Sequence, residues 1–400
     1  MTISNTFKSG RHFLQIPGPT NIPDRVLRAM DYPIIDHRGL KFANLTKSIL
    51  DRIKMVFKTK EPVVIYPASG TGAWEAAIVN TLSEGDKVLM LETGHFSFLW
   101  LEIAKKFKLQ VDFVPGDWRT GVDPRIVEQK LKDDKEKKIK AIFVVHNETS
   151  TGVTSKISKI RKAIDDANHP SLFFVDTISS LGSIDYRHEE WKVDVTVGGS
   201  QKGLLLPPGL SFNALSSKAI EAYNTSTLAK SYWDWKPMLE NNKNGFFPYT
   251  PATNLLYGLD EALNILLEEG LENVFKRHHR LAEGVRLAVK GWGLKLCAKE
   301  KKWESNTVTA IYVPEEFDSA NVIKTAYLKY NLALGAGLSN VAGKVFSIGH
   351  LGDLNELMCL GAISGAEMAM RDVGIDIKPG SGIAAAEEYY RETGPDLPND

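Results

Sequence analysis

The chain has 400 residues, 43% of them hydrophobic and 24% charged, an ordinary globular balance that excludes wholesale disorder. Lys plus Arg and Asp plus Glu each number 49, so the net charge is zero, and without a basic excess nucleic acid is not an expected partner. The two cysteines, Cys297 and Cys359, are too few for a disulfide framework or a zinc cluster and fit a reducing compartment.

No apolar run approaches the roughly 18 residues of a membrane span. The opening MTISNTFKSGRHFLQ lacks the apolar core of a secretory signal, and the closing Pro398-Asn399-Asp400 is not a peroxisomal tripeptide. A soluble cytoplasmic protein with no membrane partner is therefore expected. The length suits a large enzyme core plus a smaller domain.

In chain order, short apolar runs recur: Val63–Tyr66, Val88–Leu91, Ala141–Val145, Leu172–Val175 and Val193–Val197. Their lack of alternation predicts strands buried on both faces, the habit of parallel sheets. Amphipathic stretches such as Trp74–Leu82 and Ile157–Ala167 lie between them, so the repeating unit is strand then helix. The segment Tyr223–Thr253, rich in aromatics, Asn and Pro, reads as an excursion over the surface. Leu255–Val289 predicts two helices broken near Gly270. Strands are expected near Leu294–Cys297, Thr307–Val313 and Lys344–Ile348, with helices near Ser319–Tyr330 and Asp353–Val373. The expected architecture is α/β. An N-terminal segment and a large domain over residues 1–264 carry a mostly parallel sheet sandwiched by helices, and residues 265–400 form a smaller α+β domain.

Ligands of open α/β sheets sit outside the C-terminal strand ends. After the first run, Ser69-Gly70-Thr71-Gly72 leads straight into a helix, with hydroxyls and free N–H groups suited to a phosphate and equally to an ordinary N-cap. Asp176 ends the most apolar strand, where a carboxylate needs a partner. A protonated pyridine nitrogen would serve, as would a helix cap or an ion pair. Lys202 lies in Gly198-Gly199-Ser200-Gln201-Lys202-Gly203. A desolvated amine there can form a Schiff base, whereas a solvated lysine would do nothing. Taken as a set, the anion cup, Phe96, Asp176 and Lys202, each following a strand, are the parts needed to hold pyridoxal phosphate.

Other motifs fail on spacing. Gly337–Lys344 resembles a P-loop, but Val345 replaces its Ser/Thr, and Gly380–Ala385 lies too near the C-terminus for a dinucleotide fingerprint. His278 and His279 are adjacent on a helix and point apart, which favours a solvated face over a shared metal, so no metal is expected.

The set resembles the class V, fold type I aminotransferases, specifically the serine–glyoxylate and alanine–glyoxylate group. The resemblance is carried by Pro17-Gly18-Pro19-Thr20-Asn21, Ser69-Gly70-Thr71-Gly72, His146-Asn147-Glu148-Thr149, Gly199-Ser200-Gln201-Lys202 and Pro248-Tyr249-Thr250-Pro251. It continues through Gly343-Lys344-Val345-Phe346 and Ile348-Gly349-His350-Leu351-Gly352. The resemblance implies that Lys202 carries pyridoxal 5'-phosphate and later moves the substrate Cα proton. Ser69, Gly70, Thr71 and Gln201 would hold the phosphate, Phe96 and Ile178 cover the two ring faces, and Thr149 reach the ring hydroxyl. Asp176 would keep the ring nitrogen protonated. Gly18 would lie beside the substrate, and Tyr249 and Thr250 would reach the phosphate of the neighbouring subunit in a homodimer. The reaction implied is ping-pong transamination from an L-amino acid to glyoxylate, giving glycine. L-Serine is the first donor, and L-aspartate, L-alanine or another amine is the alternative.

One position departs from the family pattern. Its substrate-carboxylate arginine falls at Ser347, which has no charge and a short reach. Strand alternation turns Lys344 away from Ser347, leaving Arg38 as the other candidate cation. Either the family's residue has been exchanged, another group supplies the charge, or the substrate carries a different group at that place.

Overall fold

A computed structural model of the chain describes residues 10–394. Residues 1–9 and Pro398–Asp400, on which the leader and tripeptide expectations rest, lie outside the described residues.

In chain order the first half forms β1 (Phe13–Gln15), α1 (Asp24–Met30), α2 (Leu40–Phe57), β2 (Val63–Tyr66), α3 (Gly70–Thr81), β3 (Lys87–Leu91), α4 (His95–Lys106), β4 (Gln110–Val114), α5 (Pro124–Asp133), β5 (Ile139–Val145), the short pair β6 (Asn147–Glu148) and β7 (Val153–Thr154), α6 (Ile157–Asp166), β8 (Leu172–Asp176), β9 (Val195–Gly199) and β10 (Ser211–Leu215). There follow α7 (Ser217–Tyr223), α8 (Trp235–Asn242), α9 (Thr253–Glu269), α10 (Leu271–Gly291), β11 (Lys295–Leu296), β12 (Val308–Tyr312), α11 (Ser319–Tyr330), β13 (Leu332–Ala336), β14 (Val345–Gly349), α12 (Glu356–Asp372) and α13 (Ser381–Glu392).

Seven strands make the main sheet in the order β2-β10-β9-β8-β5-β3-β4. Only β10 runs against the others, pairing antiparallel with both β2 and β9. Successive residues of each central strand feed different cores. Ile142, Val144, Phe173 and Val175 pack with α2, α6 and α9 on one face, while Ala141, Phe143, Leu172 and Phe174 pack with α3, α4 and α8 on the other. Apolar side chains on both faces are why these strands read as unbroken hydrophobic runs.

The second sheet has the order β1-β13-β14-β12-β11, with β1 from the N-terminal segment at one edge. It is antiparallel except for the β1–β13 pair. Phe346 and Ile348 of β14 point into a core shared with α10, α11, α12 and α13. Ser347 between them therefore points to the opposite face.

Two expectations need correction. The strand expected from Val193 begins at Val195, because Val193 closes a turn onto the His188 carbonyl and Asp194 accepts the Phe173 N–H. The segment Tyr223–Thr253 is more than a surface excursion. It contains α8, capped by the Asp234 side chain, whose Trp235 and Met238 are fully buried. No helix among the described residues is long and apolar enough to cross a membrane.

Candidate active site

Five mutually parallel strands bring their C-terminal ends to one edge of the main sheet. Past β2 come Ser69, Gly70 and Thr71; past β3, Phe96; past β5, Asn147 and Thr149; at and past β8, Asp176 and Ile178; past β9, Gln201 and Lys202. With Trp74 and Ser179 these residues line one cavity of about 200 Å³. A larger cleft of about 600 Å³ runs past Arg11, Arg28 and Asp353, but its walls hold no lysine, cysteine or hydroxyl nucleophile.

Asp176 is 4% exposed. Its Oδ1 accepts the Ile178 N–H at 2.7 Å and its Oδ2 accepts the Trp74 indole N–H at 3.1 Å. Burial pushes its pKa up to about 7, and the two hydrogen bonds offset this only in part. Burial likewise lowers the Lys202 amine to about 8, opposed by the Asp176 charge. Lys202 Nζ donates to the Pro17 carbonyl. Gly18 follows with φ +97°, and a Cβ there would stand 2.5 Å from Nζ, so only glycine lets the chain pass this close.

The N-terminus of α3 points at the cavity, and its cap residue Ser69 makes no side-chain cap bond. First-turn N–H groups are thus left for an anion. Gln201 Oε1 is buried without a hydrogen-bond partner. Gly70 lies so close to Ile178 that a Cβ would come within 2.7 Å of Ile178 Cγ1. Asn147 is fixed on three sides: its Nδ2 donates to Ser179 (2.8 Å) and Thr307 (3.0 Å), and its Oδ1 accepts from Thr154 (2.8 Å).

Ser347, opposite Gly335 in the β13–β14 pair, is buried. The space above Gly335 is bounded by Ser347 Oγ and Pro17, so Ser347 adjoins the same proline that Lys202 contacts. Neither candidate cation lines the cavity within the chain. Lys344 turns to the Asn340 carbonyl at 3.3 Å, and Arg38 is exposed. Tyr249 and Thr250 also lie away from it. Tyr249 stacks on Tyr232, with ring centroids 4.5 Å apart.

The whole of this architecture from the β1 edge to the end of β14 matches one family model, aminotransferase class-V, over residues 12–350. The chain belongs to the class V aminotransferases. Serine–glyoxylate aminotransferase of Methylorubrum extorquens is 54% identical over 97% of this chain and 98% of that protein. L-aspartate–glyoxylate aminotransferase of Paracoccus denitrificans is 48% identical over 94% and 96%. The crystal structure of ureidoglycine–glyoxylate aminotransferase from Bacillus subtilis superimposes with TM-score 0.89 at 25% identity, covering 96% and 100%. This class V aminotransferase has the α/β fold type I architecture, and pyridoxal 5'-phosphate is its cofactor. The cavity fits that group. It offers an uncapped helix start for a phosphate, an unpartnered Gln201 oxygen, and an Asp176 carboxyl for which no ion pair is formed among the described residues.

Several residues of this aminotransferase escaped the sequence reading. Trp74 and Ser179 carry no motif signal. Glu148 stands inside the quoted His146–Thr149 motif, yet its role shows only when the fold brings α4 over it. His278 is a correction: it is buried, not on a solvated face, with Nδ1 donating to the Val274 carbonyl at 2.7 Å and Nε2 accepting the Gly352 N–H at 3.1 Å. His279 on the next position is exposed.

Proposed function

We propose that this aminotransferase moves the amino group of L-serine to glyoxylate, giving the corresponding 2-oxo acid and glycine. What carries the reading is the near-full-length 54% identity to a serine–glyoxylate enzyme. L-Aspartate remains the second donor because a 48% relative uses it by name, and the uncharged Ser347 keeps an amine not bound through the usual carboxylate arginine as the further alternative.

In this reading the cofactor is held by Ser69, Gly70, Thr71 and Gln201 at its phosphate, by Phe96 and Ile178 on the two ring faces, and by Thr149 at the ring hydroxyl. The bound cofactor supplies an electron sink for negative charge developing at the substrate Cα. Asp176 holds a proton at the ring nitrogen, the cation its buried carboxylate lacks. Lys202, with its amine lowered to about 8, is neutral often enough near neutral pH to attack a carbonyl carbon. Once free, the same amine would take the substrate Cα proton and give it up again, serving as general base and then acid. Gly18 and Ser347 border the side from which substrate reaches Nζ.

Tyr249 and Thr250 are read as serving the phosphate of a second copy, which makes the working unit a homodimer. The unit boundary is placed near residue 265, inside α9, with the N-terminal segment threading back to the second sheet. Two buried free cysteines fit a reducing cytoplasm.

The test is the visible spectrum of the purified holoenzyme titrated with L-serine, L-aspartate, L-alanine and a simple amine. Bleaching by L-serine, reversed by glyoxylate, is expected, and Lys202→Ala should lose the covalently bound band altogether. A band that L-serine leaves untouched overturns the donor, and a covalent band that survives Lys202→Ala overturns the cofactor assignment.

A further inference from the structure

Glu148 is completely buried and makes no ion pair among the described residues. A carboxylate in that position is costly unless hydrogen bonds replace its water. Here every one of its partners is a donor, from Ser150 in its own turn and from the start of α4. Oε1 accepts the Ser150 hydroxyl at 2.7 Å, the Ser150 N–H at 3.2 Å and the Phe96 N–H at 3.3 Å. Oε2 accepts the Phe96 and Ser97 N–H groups, each at 3.2 Å. The Ser150 hydroxyl in turn accepts the His95 N–H at 3.0 Å. Three consecutive first-turn N–H groups of α4 are therefore bound by a unit more than fifty residues downstream.

The reason is local. The residue before α4 is Gly94, which has no side chain to cap the helix. A Cβ at that position would stand 2.5 Å from Glu148 Cγ and 2.6 Å from Ser150 Oγ. Glycine leaves the space, the carboxylate fills it, and the positive end of the helix dipole stabilises the charge. Phe96, the second residue of α4, is a wall of the cavity, and Glu148 itself lies between the cavity residues Asn147 and Thr149.

We propose that Glu148 is a positioning residue, clamping the first turn of α4 so that Phe96 is held flat against the cofactor ring. This rests on the reading that Phe96 covers one ring face. It explains why a carboxylate is used rather than an amide: both oxygens accept from N–H groups, and the Nε2 of a glutamine would face a donor. The Glu148 charge also favours the protonated form of Asp176, which lies behind the same ring.

The test compares Glu148→Gln, Phe96→Ala and the double variant, with Ser150→Ala as the milder change should Glu148→Gln not fold. In the apoprotein, amide exchange at Phe96 and Ser97 should quicken at least tenfold in Glu148→Gln, and at His95 in Ser150→Ala. With pyridoxal phosphate added, Glu148→Gln should raise the dissociation constant about tenfold and weaken the visible circular dichroism of the bound cofactor. The double variant should bind within about twofold of Phe96→Ala alone, because both act through one contact. Unchanged exchange at Phe96 and Ser97, or fully multiplying losses in the double variant, overturns the clamp. If Phe96→Ala itself binds normally, the ring-face reading falls and takes the clamp with it, while loss of the covalent band in Lys202→Ala would show that the cofactor assignment stands regardless.

Discussion

Ser347 is one proline removed from the Lys202 amine. Its neighbours on β14, Phe346 and Ile348, are committed to the second core, so pleat alternation aims its short side chain at Pro17, whose carbonyl receives Lys202 Nζ. Gly335 opposite has no side chain, and the space one would take is closed by Ser347 Oγ and Pro17. An arginine at position 347 would meet a substrate carboxylate with two parallel hydrogen bonds. A charge-assisted bond of about 1.5–3 kcal/mol corresponds to roughly ten- to a hundredfold in affinity. Ser347→Arg is therefore expected to lower KM for L-serine by about tenfold or more while kcat changes little. Steady-state kinetics with serine varied at saturating glyoxylate decide it, and an unchanged KM would mean that another group already grips the carboxylate.

At the scale of elements, α3 shows how the fold holds a helix start against the cavity. Ala73, Trp74, Ala76, Ala77, Ile78 and Val79 are all buried, so the helix is pinned on every side and cannot retreat from the cavity its N-terminus faces. Gly70 at its start touches Ile178 so closely that any side chain must displace that cavity residue. Gly70→Ala should raise the pyridoxal phosphate dissociation constant about tenfold without unfolding the protein, since one displaced side chain and one crowded phosphate contact are involved. Equilibrium dialysis of the apoprotein measures it, and wild-type affinity would refute the close fit.

Elements also explain which parts of the structure were legible in the sequence. Strands β2, β5 and β8 were readable because both faces are apolar, and the ends of β2 and β8 located Ser69 and Asp176, while the end of β9 located Lys202. Strand β10 alternates polar and apolar residues over Ser211–Ala214, the pattern of a half-exposed strand, yet Ser211 and Asn213 are buried, so it shows no unbroken apolar run. Helix α8 hid because Pro237 and a run of polar residues obscure the two positions, Trp235 and Met238, that pack. Glu148 was invisible for a different reason. Its partners are backbone N–H groups of a helix about fifty residues away, and no sequence pattern records which carboxylate will lie beneath which helix.

For the whole molecule, burial of Asp176 and Lys202 leaves the apoprotein strained at neutral pH. Asp176 titrates near 3.8 when unfolded and about 7 when folded. Between those values the folded state holds a proton that the unfolded state has released, so its contribution to stability is complete below about 4 and is lost as pH rises through 7. Lys202 falls from 10.5 to about 8. Its contribution is complete above about 10.5 and is lost as pH falls through 8. The two windows leave the apoprotein least favoured around pH 7–8, where cofactor binding, by giving each group a partner, should stabilise most. Removing the Asp176 charge abolishes its own window and, by taking away the attraction that raises Lys202, lowers that amine further. Apo Asp176→Asn should gain in thermal midpoint over the apo wild type at pH 8, while the difference shrinks toward pH 5, where the wild-type carboxyl is itself protonated. Each pKa unit is worth about 1.4 kcal/mol, and roughly two units lie between pH 5 and the folded value of about 7, so the change in the difference is bounded at about 3 kcal/mol. Calorimetry of both apoproteins across this range gives the comparison directly. A difference that stays constant with pH would show that Asp176 is ionised at pH 5 already, and that its buried carboxylate has found a partner other than the cofactor.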